Sequence, residues 1–344
     1  MAVTELLITH NKRSYAPVVV EGMKVSTSID GEPGKLTFEL EKSANKNILF
    51  SEGDTVYLHA CRFKGYIFEI TENSESDTIS VTAYDQMRYL KAKDTYVFTF
   101  TSAENAYYRI CEDYKLDFDN VGYVKGYDTT FNCVCENMEL IDMMDKIMEH
   151  LMNKTGKRYV LMDDKGSLSI RQVGAQDGSL AKDGIKISMR PQAIITATDF
   201  ESYSYTSSID KDTYNRVKVI YDNEDTGKRE TFVAQDSNNI GKWGTLSTTE
   251  TMQKGENGRT KANTLLRLYN HKNKTLEIKN ILTLSDTTPK GYNVCFRAGQ
   301  IVRVKIQLRD TSVQQWMMIS KCEHTVYHDR ILTNITVQGG DFGG

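Results

Sequence analysis

One alternating pattern occurs twice in this chain, and it constrains the fold more than any other feature. "GDTVYLHACRFKGYIFEI" runs from Gly53 to Ile70 and is followed by "ISVTAYD", Ile79 to Asp85. Far along the chain "GQIVRVKI" starts at Gly299, followed by "WMMIS" and "ITVQGGD". Taken in order, Gly53-Asp54-x-Val56-x-Leu58 matches Gly299-Gln300-x-Val302-x-Val304. Tyr66–Ile70 matches Trp316–Ser320, and Ile79–Thr82 with Asp85 matches Ile335–Gln338 with Asp341. Period-two alternation marks half-buried strands. Any two hairpins share alternation, so the common order carries the weight. It argues for two similar β units in one chain, separated by an insert.

The rest of the chain fits that division. "MKVSTSI", the turn "DGEPG" and "KLTFELE" read as a hairpin with Leu36, Phe38 and Leu40 on one face. Several short strands with one apolar face each suggest a closed or nearly closed barrel. The period changes at "TSAENAYYRICEDYKL", where Thr101-x-x-Glu104 has capping-box spacing. A second helix is expected over "MELIDMMDKIMEHLMN", capped by Asn137 and ended by Gly156. "KRYVLMDDKGSLSIRQV" reads as a hairpin turning at Asp164-Lys165-Gly166. After it, "YNRVKVIY" and "KRETFVA" form a hairpin, "DSNNIGKWGTL" a loop, and "GRTKANTLLRLYNHKN" an amphipathic helix. The expected class is mainly β with an α/β insert: two similar tube-type barrels plus a small α/β domain. The expected layout is a first barrel over 1–92, the insert over 93–185 and a second barrel over 186–344. Part of 186–235 is a candidate for completing the first barrel.

Composition and motifs exclude several function classes. The net charge of −3 supplies no basic field for nucleic acid. No apolar run approaches the ~18 residues of a membrane span, and the N-terminus lacks a signal-peptide core. The six cysteines, Cys61, Cys111, Cys133, Cys135, Cys295 and Cys322, read as reduced thiols rather than a disulfide framework. Cys133 and Cys135 share a strand face as core thiols. Glu136, Glu139, Asp142, Asp145 and Glu149 read as a solvated helix side. Met143, Met144, Met148 and Met152 read as core filling. Cys322, His324 and His328 have even spacing on one strand face and are the weak metal candidates. The competing reading makes both histidines partly exposed hairpin residues, since zinc needs three or four ligands. Acidic pairs such as Asp163 and Asp164 fall in turns. No G-x-S-x-G, H-E-x-x-H, Walker or dinucleotide glycine pattern is present, so no catalytic residue, cofactor site or enzyme activity is expected.

"TSAENAYYRICEDYKL", "NMELIDMMDKIMEHLMNKTGKRYVLMDDKGSLSIR", "YNRVKVIY", "DSNNIGKWGTL", "ANTLLRLYN", "AGQIVRV" and "CEHTVYH" occur in that order. In order and number they resemble the PBSX-type prophage tail proteins of the XkdQ/YqbQ-like group, baseplate hub proteins of contractile tails, over residues 20–340. The resemblance implies a homotrimer whose six barrels form a pseudo-sixfold ring joining the hexameric tail tube to the threefold central spike. Implied partners are a second and third copy, the tube protein, the spike protein, other baseplate proteins and a tape-measure protein passing through. The expected place is a phage virion or phage-tail-like particle assembled in the cytoplasm. Six equivalent edges from three chains require two similar units per chain, which fits the internal repeat. The ring's lumen should be polar and neutral to acidic, with the insert outside it. Some relatives carry an added hydrolase or spike domain; with "GGDFGG" at the end of this sequence none is expected here, and a cell-wall enzyme is expected to be a separate protein. Trp243 is expected to be a packing or interface anchor. The alternatives are a peripheral carbohydrate- or receptor-binding β module and a cell-wall hydrolase.

Overall fold

The computed structural model describes residues 6–121, 126, 128–173, 194–223, 227–252, 256–283, 296–307 and 312–339. Cys295 and Asp341 lie outside the described residues. The chain opens with β1 (Leu6–His10), β2 (Arg13–Tyr15), β3 (Met23–Ser28), β4 (Lys35–Glu41), β5 (Thr55–Leu58), β6 (Phe63–Glu72) and β7 (Thr78–Tyr84). An insert follows, built from β8 (Lys93–Ser102), α1 (Ala103–Asp113), β9 (Thr130–Glu139), α2 (Leu140–Thr155), β10 (Tyr159–Asp163) and β11 (Leu168–Gln172). Next come β12 (Ile194–Thr196) and β13 (Ser202–Ser208), then β14 (Arg216–Asn223), β15 (Lys228–Gln235), α3 (Ser237–Trp243), β16 (Ser247–Thr251) and α4 (Gly258–Tyr269). The chain closes with β17 (Asn273–Thr283), β18 (Ile301–Gln307), β19 (Ser312–Val326) and β20 (Ile331–Gly339).

The protein is mainly β, and one 13-stranded sheet holds the frame together. Within it the order β3-β4-β7-β6-β5-β1 is matched by β13-β17-β20-β19-β18-β12. The two runs point the same way, and β19 of the second pairs with β3 of the first. Leu6 and Ile8 of β1 reach the same core as Met23 and Val25 of β3 at the far end of the run, so the first run curls over its core. The second run has its own core around Leu276, Val302, Ile319 and Val337. Among the described residues neither run closes on itself through strand pairing.

The repeat extends to backbone detail. Gly53 and Gly299 both have φ of 87°, which favours glycine. Gly53 N donates to Ile67 O at 2.8 Å, and Ile67 N donates to Asp54 O at 2.9 Å. Gly299 N donates to Ile319 O at 2.7 Å, and Ile319 N donates to Gln300 O at 2.8 Å. Each run then has a one-residue bulge, between Ile67 and Glu69 and between Ile319 and Lys321. The register therefore equates Ile67 with Ile319, Gly65 with Met317 and Val81 with Ile335. Val56 stands opposite Gly65 and Val302 opposite Met317, so the Gly53/Gly299 match holds. The Tyr66/Trp316 and Ile79/Ile335 matches are each displaced by two residues. A two-residue slip keeps every side chain on its face, so alternation alone does not detect it.

The local readings hold with adjustments. β10 and β11 form the expected hairpin, with Lys165 and Gly166 at φ of 60° and 80° in its two-residue turn. α1 is capped by Ser102, whose hydroxyl accepts from Asn105 N, rather than by Thr101; the Glu104 carboxylate accepts from the Thr129 hydroxyl instead. α2 ends at Gly156 as expected, but its cap residue is Glu139, with no side-chain bond. Asn137 lies within β9 in a left-handed conformation. Residues 237–243, read as loop, form α3 because the Asp236 carboxylate accepts from Asn238 N and Asn239 N and starts the turn. β14, β15 and β16 form a separate sheet under α4, so residues 216–235 add no strand to the first run. The insert has its own core, in which Met143 and Met144 are fully buried and Met148 partly so. Met152 leaves that core and packs against the β14–β16 unit.

Candidate functional site

The densest buried polar cluster sits where the first run, the insert and the second run meet. Asp85, Gln86, Asp163 and Arg297 are each no more than 5% exposed. Asp85 follows β7: its Oδ2 accepts from Gly34 N at 2.9 Å and its Oδ1 from Met87 N at 3.1 Å. Gln86 reaches into the insert, donating to Gly166 O at 2.7 Å and to Asp163 Oδ2 at 3.2 Å. Its own Oε1 accepts from Asp117 N at 2.8 Å. Asp163 Oδ1 accepts from Gly166 N at 2.7 Å and so shapes the β10–β11 turn.

Arg297 comes from the second run, two residues before the Gly299 turn. Its guanidinium donates to Arg62 O at 3.0 Å and to Asp163 O, and lies 3.8 Å from Asp164 Oδ1. Arg62 in turn grips Asp164 through Nη2 at 3.0 and 2.9 Å. Burial pushes the Asp85 carboxyl well above its usual range; the nearby Asp163 adds to this and Arg297 opposes it. Burial also raises Asp163, again against Arg297. The cluster's geometry is that of a lock: Gln86 ties the first run to the insert, and Arg297 ties the second run to both.

The metal candidates divide. Cys322 and His324 are buried together, with Sγ 3.4 Å from Nε2. His324 Nε2 lies 2.8 Å from Phe296 O, and a carbonyl only accepts, so this nitrogen carries hydrogen and offers no lone pair to a cation. Its Nδ1 meets the Thr333 hydroxyl at 2.8 Å. The reading of His324 as partly exposed is therefore corrected: it is 4% exposed. His328 lies beyond the end of β19, exposed, with its backbone N–H on Glu21. Among the described residues no three His, Cys, Asp or Glu side chains are grouped to hold a metal.

Cys133 and Cys135 are free thiols, with sulfurs 3.5 Å apart. Burial, with Cys133 adding to it, pushes Cys135 up to about 11. Asp142, Asp145 and Glu149 are exposed on α2, and Glu149 meets Lys261 of α4 at 3.4 Å. Trp243 is half-buried at the end of α3, a helix that buries none of its residues. Of the acidic pair expected in a turn, Asp163 is instead the last residue of β10, paired with Leu168 and 2% exposed, and Asp164 follows it into the turn. The Asp85–Asp163–Arg297 lock is not visible in the sequence: its members are far apart along the chain, and burial decides their role. No helix of the described residues is long and apolar enough to cross a membrane.

A repeated, same-direction strand order is thus locked to an α/β insert. The chain belongs to the YQBQ-like family, whose model matches residues 23–338. The chain is 28% identical to the uncharacterized protein YqbQ of Bacillus subtilis, over 66% of this chain and 67% of that one. It is also 28% identical to the phage-like element PBSX protein XkdQ of the same organism, over 67% of each. Among solved structures it shares the fold of a tail protein from Neisseria meningitidis, with a TM-score of 0.66 at 11% identity, over 98% of this chain and 97% of that one.

Proposed function

We propose that this chain is the structural hub of a phage-tail-type baseplate. Three copies close into a pseudo-sixfold ring that joins a hexameric tail tube to a threefold central spike. The observation that carries this reading is the repeated strand order, both runs pointing the same way in one sheet. Two same-direction units related along a sheet are what a ring needs to present six similar edges from three chains. A closed two-fold dimer has no use for them. The family relationship to a PBSX protein and the fold shared with a tail protein support the same placement.

In this reading each run is a tube-type barrel, within the layout 1–92, 93–185 and 186–344. Part of the sheet face opposite the two cores carries Ser26, Thr37, Thr82, Glu277, Lys321 and Thr336, a polar surface suited to a lumen through which DNA or a tape-measure protein passes without strong attraction; farther along that face Ile301 and Met318 pack with Val160 and Val173 of the insert. The insert stands outside the ring and meets neighbouring baseplate proteins. Trp243 serves as an interface anchor on the β14–β16 unit. The chain acts without a cofactor, metal or catalytic residue of its own, in a contractile phage tail or a DNA-free bacteriocin particle. Light scattering on the purified protein tests the assembly. The expected mass is three times the 39.1 kDa of one chain, and a strictly monomeric protein, alone and with its tube partner, overturns the reading.

A further inference from the structure

A cavity of about 600 Å³ opens where three parts of one chain meet: the insert, the end of α4, and the β13–β17–β20 end of the second run. None of its described lining residues belongs to the Asp85–Asp163–Arg297 lock. Its cations come from three separate segments. Arg158 lies on the link between α2 and β10, Lys211 on the link between β13 and β14, and Lys274 in β17. Among the described residues none of the three forms an ion pair. Two carboxylates, Asp210 and Asp212, line the same cavity from the β13–β14 link. Thr206, Ser208 and Thr275 add hydroxyl groups.

The walls are tied in place. The buried Thr213 donates its hydroxyl to His271 O at 3.0 Å, and the Asn273 amide donates to Lys211 O. Ser208 Oγ accepts from Asp210 N at 3.0 Å. Between these ties Asp212 is held at φ of 52°, the left-handed region that few residues with a side chain adopt. Backbone strain persists only where the surroundings impose it, and it clusters at ligand clamps. Arg158 is fixed from two sides: its carbonyl accepts from Val173 N at 2.7 Å, and Arg267 of α4 donates to Gly156 O just before it. Burial pushes the Tyr269 phenol up, with Arg158 opposing the rise and Asp212 adding to it. Charges from the insert and from the β13–β14 link thus act on one hydroxyl in the cavity wall.

We propose that this cavity binds a hydroxylated phosphate monoester about the size of a sugar phosphate. Its volume falls in the range of small-molecule sites. The cations take the phosphate, with Arg158 supplying the planar fork that matches phosphate oxygens. Asp210 and Asp212 accept from the hydroxyls of the body. Each half of the lining rejects a simpler ligand. An uncharged sugar leaves three cations unanswered, and a bare polyanion meets two carboxylates. A ligand held from all sides ties the insert, the α4 unit and the second run together at one point. The site is complete within one chain, so it stands or falls independently of the ring reading.

Calorimetric titration of the purified full chain tests this, with glucose 6-phosphate, inorganic phosphate and glucose as probes. One glucose 6-phosphate should bind per chain, with inorganic phosphate about tenfold weaker or more and glucose undetectable. The ester should also raise the unfolding midpoint, because it binds the folded chain alone. Arg158 is exposed and Lys274 half-buried, so both can be replaced without emptying a core. Arg158→Gln and Lys274→Gln should each weaken the ester about tenfold, the worth of one charge-assisted hydrogen bond. Asp212→Gly keeps a backbone that glycine adopts freely and removes a carboxylate. It should bring the ester and inorganic phosphate close to parity. No heat and no midpoint shift with the ester at about 1 mM overturns the site, as do Arg158→Gln and Lys274→Gln variants that bind like the parent. Equal binding of the ester and inorganic phosphate by the parent overturns the ligand class.

Discussion

The two runs share a backbone and differ in what hangs on it. Strand order, direction, the glycine turn at φ of 87° and the one-residue bulge are common to both. The outermost strand is antiparallel to its neighbour in the first run, β1 on β5, and parallel in the second, β12 on β18. Between β3 and β4 the first run has only a tight turn, whereas between β13 and β17 the second carries β14, β15, α3, β16 and α4. The common part makes the sheet. Both large additions leave from the same end: the insert follows β7 at Asp85, beside Gly34, and the β14–β16 unit follows β13. One rim is thus decorated differently in each run, while the other carries the plain β6–β7 and β19–β20 turns. A ring built from such chains would be near-sixfold at the plain rim and threefold at the decorated one.

The lock at the decorated rim ties both runs to the insert, and breaking it has the largest expected effect. Arg297→Ala leaves the carbonyl oxygens of Arg62 and Asp163 without their donor, at a cost of about 1–3 kcal/mol each, and removes the charge that opposes the raising of Asp85 and Asp163. The deficit should depend on pH. Both carboxyls are raised in the folded state, so each contributes stability that is fully present below the ordinary carboxylate range and lost as pH rises through the raised value. Removing the guanidinium raises them further. The variant should therefore lie closest to the parent at about pH 5 and fall furthest behind at about pH 8. Denaturant unfolding at the two values measures this. An equal deficit at both pH values would show that the carboxyls are not held protonated by burial.

Next in size is a swap hidden in the repeat. Met317 is fully buried, and its twin in the first run is Gly65. A Cβ on Gly65 would lie 2.4 Å from Tyr84 O and 2.7 Å from the Phe63 ring, so the first run fills with Phe63 the space the second fills from the strand itself. Met317→Ala should open a cavity and cost about 2–5 kcal/mol. Gly65→Ala should overpack and cost about 1–3 kcal/mol. If Gly65→Ala proves neutral in thermal and denaturant unfolding, the two runs are packed more alike than their registers imply.

Much of the frame was legible because backbone needs leave marks in sequence. A glycine that must take positive φ, followed by alternation, marks the same turn twice, and the match of Gly53 with Gly299 holds. The Tyr66/Trp316 match slipped because its only signal was period two, which is blind to a shift of two. The lock was illegible for another reason. Asp163 and Arg297 belong to different units, and desolvation decides their role, which no local pattern records. α3 was missed because Asn-, Gly- and Ser-rich stretches read as loop unless the capping carboxylate of Asp236 is given its weight.

The smallest expected effect tests the turn that both runs share. Gly53→Ala and Gly299→Ala each place a Cβ on a backbone at φ of 87°, where an L side chain is strained by about 1–2 kcal/mol. Both turns make the same pair of backbone bonds to Ile67 and Ile319, so the strain should be alike. The surroundings differ. A Cβ on Gly53 meets nothing within 4 Å, whereas one on Gly299 lies 3.3 Å from Met162 Cε and 3.4 Å from Val160 Cγ2 of the insert. Met162 yields easily, since its thioether end is flexible, so Gly299→Ala should exceed Gly53→Ala by well under 1 kcal/mol. Adding Met162→Ala should remove that excess and leave the common strain. Matching costs in the two runs would mean that the repeat is one of backbone strain as well as strand order. A neutral Gly53→Ala beside a costly Gly299→Ala would confine the requirement to the insert contact, and the turns would be alike in shape only.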